Sequence, residues 1–159
     1  MMSKLGQVSS KDNIRSSDEA EKKQLGTDLP SSEEELFLLD PYPLLDIDAG
    51  LANLGDASIL HELLNIMTKQ ELPTELSEIQ AAYTELDWDK IEKLAHKMKS
   101  GALYCGTIRL KLACQYLERY RKAGYTKLLN ELYFQLIRVA NETKQSINNW
   151  ISTNLESPN

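Results

Sequence analysis

The chain has 159 residues, 42% hydrophobic and 26% charged, with a net charge of −6 at pH 7, which leaves room for one domain of ordinary globular composition plus tails. No apolar run approaches the roughly 20 residues that span a bilayer, and the start Met1-Met2-Ser3-Lys4-Leu5 has no apolar leader core, so a cytoplasmic setting without membrane insertion is expected. Cys105 and Cys114 form neither a disulfide framework nor a Cys-x-x-Cys metal pair.

Residues 1–40 are rich in Ser, Lys, Glu and Asp and show almost no apolar periodicity, so a disordered acidic/polar tail or linker is expected there. Within it, Ser31-Ser32-Glu33-Glu34-Glu35 offers a capping signal for a short helix. Asp40-Pro41-Tyr42-Pro43 punctuates the entry to a folded part over 41–153, with a short tail at 154–159.

From Leu45 onward the apolar spacing is helical throughout. A short helix is predicted over 46–54, ending near Gly55, and a second from Ala57 to about Gln70. Asp56 caps the second, and Ile59, Leu60, Leu63, Ile66 and Met67 form its apolar stripe. Pro73 suits the start of a third helix over 73–85 that buries Leu76, Ile79 and Tyr83. Asp87 caps a fourth over 88–104, with Ile91, Leu94, Ala95, Met98 and Ala102 inward. Cys105-Gly106-Thr107 turns the chain into a fifth helix over 108–123, with Leu110, Ala113, Cys114, Leu117 and Tyr120 inward and Gly124 at C′. The last helix runs over 126–152. The pattern predicts an all-α fold: an antiparallel up-down four-helix bundle with a short extra N-terminal helix.

Charge is unevenly placed. Residues 46–89 carry ten acidic side chains against Lys69 alone, and residues 90–127 carry ten basic ones against Glu92 and Glu118. The basic half would steer an acidic partner toward its own surface. No nucleic-acid motif accompanies it, and the acidic neighbour would repel a phosphate backbone, so no nucleic-acid partner is expected.

The basic half also holds His96, one of only two histidines. On the fourth helix His96 falls about 100° from Ala95, toward solvent, with Lys99 beside it at i+3. An ordinary imidazole titrates near ~6.5, so a neutral, nucleophilic ring is available at neutral pH. A phosphoryl group on such a ring brings about two negative charges, which a neighbouring lysine partly neutralises. Ser100 and Gly101 are small and leave room for a partner, although a mid-helix Gly costs ~1 kcal/mol relative to Ala. Glu92, Lys93, Lys97, Ser100, Gly101 and Leu103 form the expected docking surface, Leu103 as its apolar contact. The other histidine, His61, is expected in solvent, Trp88 and Trp150 as packing anchors, and the two cysteines in the core or turns. No residue spacing suggests a metal or cofactor held by this chain.

Ala95-His96-x-Met98-Lys99, the small pair Ser100-Gly101, Gly106 ten residues past the histidine, Leu110 and Leu117-Glu118 resemble the signature of histidine phosphotransfer (HPt) domains. That signature runs Ala-His-x-Leu-Lys-Gly-Ser, then a second Gly, a Leu and a Leu-Glu pair. Leu45-Asp46 through Leu54-Gly55-Asp56 is similar to the family's opening helix and turn, so the resemblance covers about residues 45–150. It implies that His96 is transiently phosphorylated with Lys99 beside it. It further implies a phosphorelay carrier rather than an enzyme, whose partners are receiver domains of response regulators or a hybrid histidine kinase. Mg²⁺ is expected on the receiver, and this chain is expected to be a monomer. One departure is Ser100, where the family has Gly. The alternative is a bundle that docks a receiver or kinase without carrying phosphate.

Overall fold

The computed structural model describes residues 25–156. Three aspartates start helices, Asp56 and Asp87 as the sequence places them and Asp46 as the cap of the helix expected from 46, each accepting backbone N–H groups of the first turn. Asp46 accepts from Ala49 at 3.0 Å, Asp56 from Ser58 at 2.7 Å, and Asp87 from Lys90 at 3.1 Å. The helices that follow are α1 (Ile47–Leu54), α2 (Ala57–Ile66), α3 (Leu72–Thr84), α4 (Trp88–Cys105), α5 (Ile108–Lys122) and α6 (Leu129–Glu156). No strand occurs among the described residues.

The break expected before Pro73 is absent. A π-helical turn, Met67–Glu71, joins α2 to α3 with right-handed helical backbone on both sides, and the Leu72 N–H reaches the Met67 carbonyl. Pro73 lacks an N–H and would crowd an ordinary helical turn; the widened ring absorbs it. The buried face of α2 runs through Leu60 and Leu64 to Met67 at ordinary helical spacing, and Ile59, expected inward, lies about 100° off that face and is 45% exposed.

The inward sets predicted for α4 and α5 are all buried. Packing follows chain order: α3 lies on α4, α4 on α5, α5 on α6, and α6 returns to α2 and α3. Short α1 rests on α2 and α4. Gly106 makes that last contact possible. It ends α4 with φ +79°, and the place of its missing side chain is taken by the Asp46 carbonyl. The Asp46 N–H in turn donates to the Gly106 carbonyl at 2.8 Å.

Residues 25–40 are not a disordered tail. They form an arm whose Leu29, Leu36 and Leu39 are buried in the core. A 3₁₀ turn, Glu34–Phe37, is stapled by Ser32 and Glu35, which exchange side-chain and backbone hydrogen bonds. Side chains of the bundle satisfy the arm's carbonyls: Gln135 Nε2 donates to Leu36 at 3.0 Å, Gln115 Nε2 to Asp28 at 2.9 Å, and Tyr125 Oη to Leu25 at 2.8 Å. Arg109 donates to Tyr42 and Asp40. Leu29, Leu36 and Leu39 stand at intervals of seven and three, but Pro30 and the polar run Ser31-Ser32-Glu33-Glu34-Glu35 leave no continuous apolar stripe between them, which is why the sequence conceals them. The part of the expected tail over 1–24 lies outside the described residues. At the other end α6 runs to Glu156, three residues into the expected C-terminal tail, and 157–159 also lie outside.

Candidate functional site

The apolar face of α4 is fully buried, which turns His96 outward: its side chain is 60% exposed. Lys99 stands beside it as the i+3 spacing requires, but it does not reach toward the solvent side of the ring. Both side chains converge on Glu118 of α5. His96 Nδ1 lies 2.9 Å from Glu118 Oε2, and Lys99 Nζ donates to Glu118 Oε1 at 2.7 Å. Glu118 itself is 1% exposed. Burial pushes its carboxyl pKa upward, but the hydrogen bonds and charges of Lys99 and His96 prevail and leave it below the usual carboxylate value. An ionised carboxylate only accepts, so Nδ1 carries the proton. In the neutral ring the lone pair is then on the other nitrogen, Nε2.

Sequence reasoning read Glu118 only as half of a Leu-Glu signature. Its chemistry comes from a contact between helices, 22 residues apart in the chain, which no periodicity within one helix reveals. The resemblance was the signal that pointed to the position.

Beside the ring is a pocket of about 220 Å³ lined by Glu92, Lys93, His96, Glu118 and Lys122. Of the expected docking residues, it brings Glu92 and Lys93 to the histidine. Ser100 is exposed one turn along, but its hydroxyl turns back to the His96 carbonyl at 3.5 Å rather than toward the ring. Leu103 is 48% exposed on the same side. Gly101 and Lys97 sit elsewhere. Gly101 lines a separate apolar groove with Leu54, Leu63 and Tyr104, and a Cβ there would meet nothing within 4 Å. Lys97 is exposed within the field of Glu75. Tyr104, 57% exposed, is an apolar surface residue that the sequence reading passed over.

Much of the expected basic field is neutralised within the fold. Arg121 pairs with Asp89 and Glu92, Lys122 with Glu92, Lys127 with Glu33, and Arg119 with Asp28 of the arm. Steering of an acidic partner is accordingly weaker than the sequence suggests. His61 is half-buried against Trp150, ring centroids 5.5 Å apart, rather than free in solvent.

Glu75 of α3 is buried at 8% exposure, and desolvation raises its pKa to about 6, with Lys97 opposing and Glu71 and Glu78 assisting. A carboxyl with a raised folded pKa binds more protons when folded, so stability falls as pH rises from 4.5 through about 6. Glu75→Gln is expected to stabilise the fold at pH 7.5 by on the order of 1–2 kcal/mol and to do nothing at pH 4. Urea titrations at the two pH values check this; equal effects at both would contradict it.

Among the described residues, no group of three or more His, Cys, Asp or Glu side chains is placed to hold a metal ion, and no helix is long and apolar enough to cross a membrane. The family model for the Hpt domain matches residues 64–146, a span that holds His96, Lys99 and Glu118. No curated protein and no solved structure matches the chain.

Proposed function

Because the chain belongs to the Hpt domain family, whose members perform histidine phosphotransfer in two-component phosphorelays, we propose that His96 is the phosphoryl carrier between receiver domains. The observation that carries this reading is the outward imidazole held at Nδ1 by a buried carboxylate. The lone pair on Nε2 attacks phosphorus of a receiver's phospho-aspartate; the N–P bond forms as the acyl O–P bond breaks, and the receiver's carboxylate leaves. Nδ1 retains its proton throughout, and the positive charge that develops on the ring is balanced by Glu118. The reverse step delivers the group to a second receiver.

Positioning and charge do the work on this side. Lys99 holds Glu118 in place from the far side of the carboxylate, which makes it a positioning residue. The receiver supplies Mg²⁺, and the chain acts as a monomeric carrier in the cytoplasm. The order of helix packing supports an up-and-down four-helix bundle, with α2, the π turn and α3 as one of its four members. Leu103, Ser100 and Lys93 flank the histidine on the side open to a receiver.

The test is incubation with phosphorylated receivers, following label that is acid-labile and alkali-stable. Wild type is expected to take up such label and His96→Gln none. Label persisting in His96→Gln would move the site elsewhere. Receiver binding without label in wild type would make the chain a docking module instead.

A further inference from the structure

Phosphorylation puts about two negative charges on the solvent side of the ring, and Lys99 is already bonded to Glu118 at 2.7 Å behind it. The cations that share a cavity with the ring are others. The geometry points to Lys93 and Lys122 as the groups that hold the phosphoryl anion on His96, a conclusion that rests on the phosphohistidine reading above and names its anion site. The pocket beside the ring is lined by both lysines together with His96. Lys93 lies one turn before His96 on α4, and Lys122 one turn after Glu118 on α5, so the two approach from different helices.

In the resting protein Lys122 Nζ bonds Glu92 Oε2 at 2.9 Å, while Arg121 Nη1 bonds Glu92 Oε1 at 2.9 Å. Glu92 therefore has two cationic partners. When Lys122 swings to the phosphoryl oxygens, Arg121 remains on Glu92, and no carboxylate is left unpaired. The Lys122 side chain is 51% exposed, so the movement needs no opening of the core.

A small phosphodonor tests this without any receiver surface. With phosphoramidate, the Nε2 lone pair forms the N–P bond as the donor's own N–P bond breaks and ammonia leaves. Lys93→Gln and Lys122→Gln are each expected to slow labelling roughly fivefold, the scale of one exposed charge-assisted contact, and the double variant further. Lys122→Arg is expected to keep the wild-type rate. On phosphorylation of wild type, the side-chain NMR signals of Lys93 and Lys122 should move while those of Lys90 and Lys111 stay. This second readout holds even if a variant fails to fold. A double variant labelling at the wild-type rate, Lys122→Arg behaving as Lys122→Gln, or unmoved Lys93 and Lys122 signals would each overturn the assignment. If wild-type His96 takes no phosphoryl group at all, the carrier reading itself fails, and this inference falls with it.

Discussion

Glu118→Gln is expected to slow phosphoryl transfer to His96 by roughly 10²-fold with the helical fold intact, because an orienting carboxylate fixes tautomer and stabilises the imidazolium that forms. The glutamine amide can still accept from Nδ1 through its oxygen, but it carries no charge to balance the ring. In that orientation its NH₂ faces the Lys99 ammonium, where the carboxylate had received a hydrogen bond at 2.7 Å; flipped, its oxygen takes Lys99 and its NH₂ donates to Nδ1, which favours the other tautomer. Two readouts separate this from a general loss of structure. Imidazole ¹⁵N shifts should report the Nδ1–H tautomer in wild type and a mixture in the variant. Glu118→Gln combined with Lys99→Met should recover stability, by removing the unpaired half-buried cation, without recovering transfer. Transfer at the wild-type rate in Glu118→Gln would show that the carboxylate does not orient the ring.

The pH dependence of the same clamp has a definite sign. Glu118 has a folded pKa below its ordinary 4.5, so its contribution to stability is present above the unfolded value. It is lost as pH falls through the lower folded one. Wild type should thus lose stability on acidification over a range where Glu118→Gln, lacking the ionisable group, does not. Glu75 moves stability in the opposite direction between 4.5 and about 6, so the two carboxylates are distinguishable by single substitutions.

What the sequence made legible follows the range of each interaction. Caps act within one turn, and Asp56 and Asp87 marked two helix starts correctly, while Asp46 proves to cap the first helix, whose predicted start it was. The outward placement of His96 followed from five buried neighbours on its own helix. Wherever two elements met, spacing was silent. Glu118 joins His96 across α4 and α5, and Glu92 ties α4 to α5 through Arg121 and Lys122. Lys97 and Gly101 lie near His96 in sequence, yet the helix turns them to other flanks. Pro73 does stand in the first turn of α3, but the continuation of α2 into it through a π turn is marked by no residue pattern.

The N-terminal arm was the largest misreading, and it gives the second large effect. Leu36→Ala is expected to destabilise the protein by about 3 kcal/mol, the middle of the range for a buried leucine cut to alanine. Leu36 is fully buried and its carbonyl receives the Gln135 amide at 3.0 Å, so the cavity forms where the backbone is pinned and cannot collapse freely. Leu38, two residues on, is 61% exposed, and Leu38→Ala should change stability by no more than about 0.5 kcal/mol. Urea denaturation of the pair discriminates a docked arm from a tail, since a tail predicts no difference between them. The arm reaches α5 at Arg119 through Asp28, next to Glu118 in the chain but turned away from the ring. Transfer measured well below the unfolding midpoint should therefore be unchanged in Leu36→Ala, which would confine the arm to holding α5 and α6 together. A slowed transfer with the fold intact would instead mean that the arm's grip on α5 reaches the placement of Glu118.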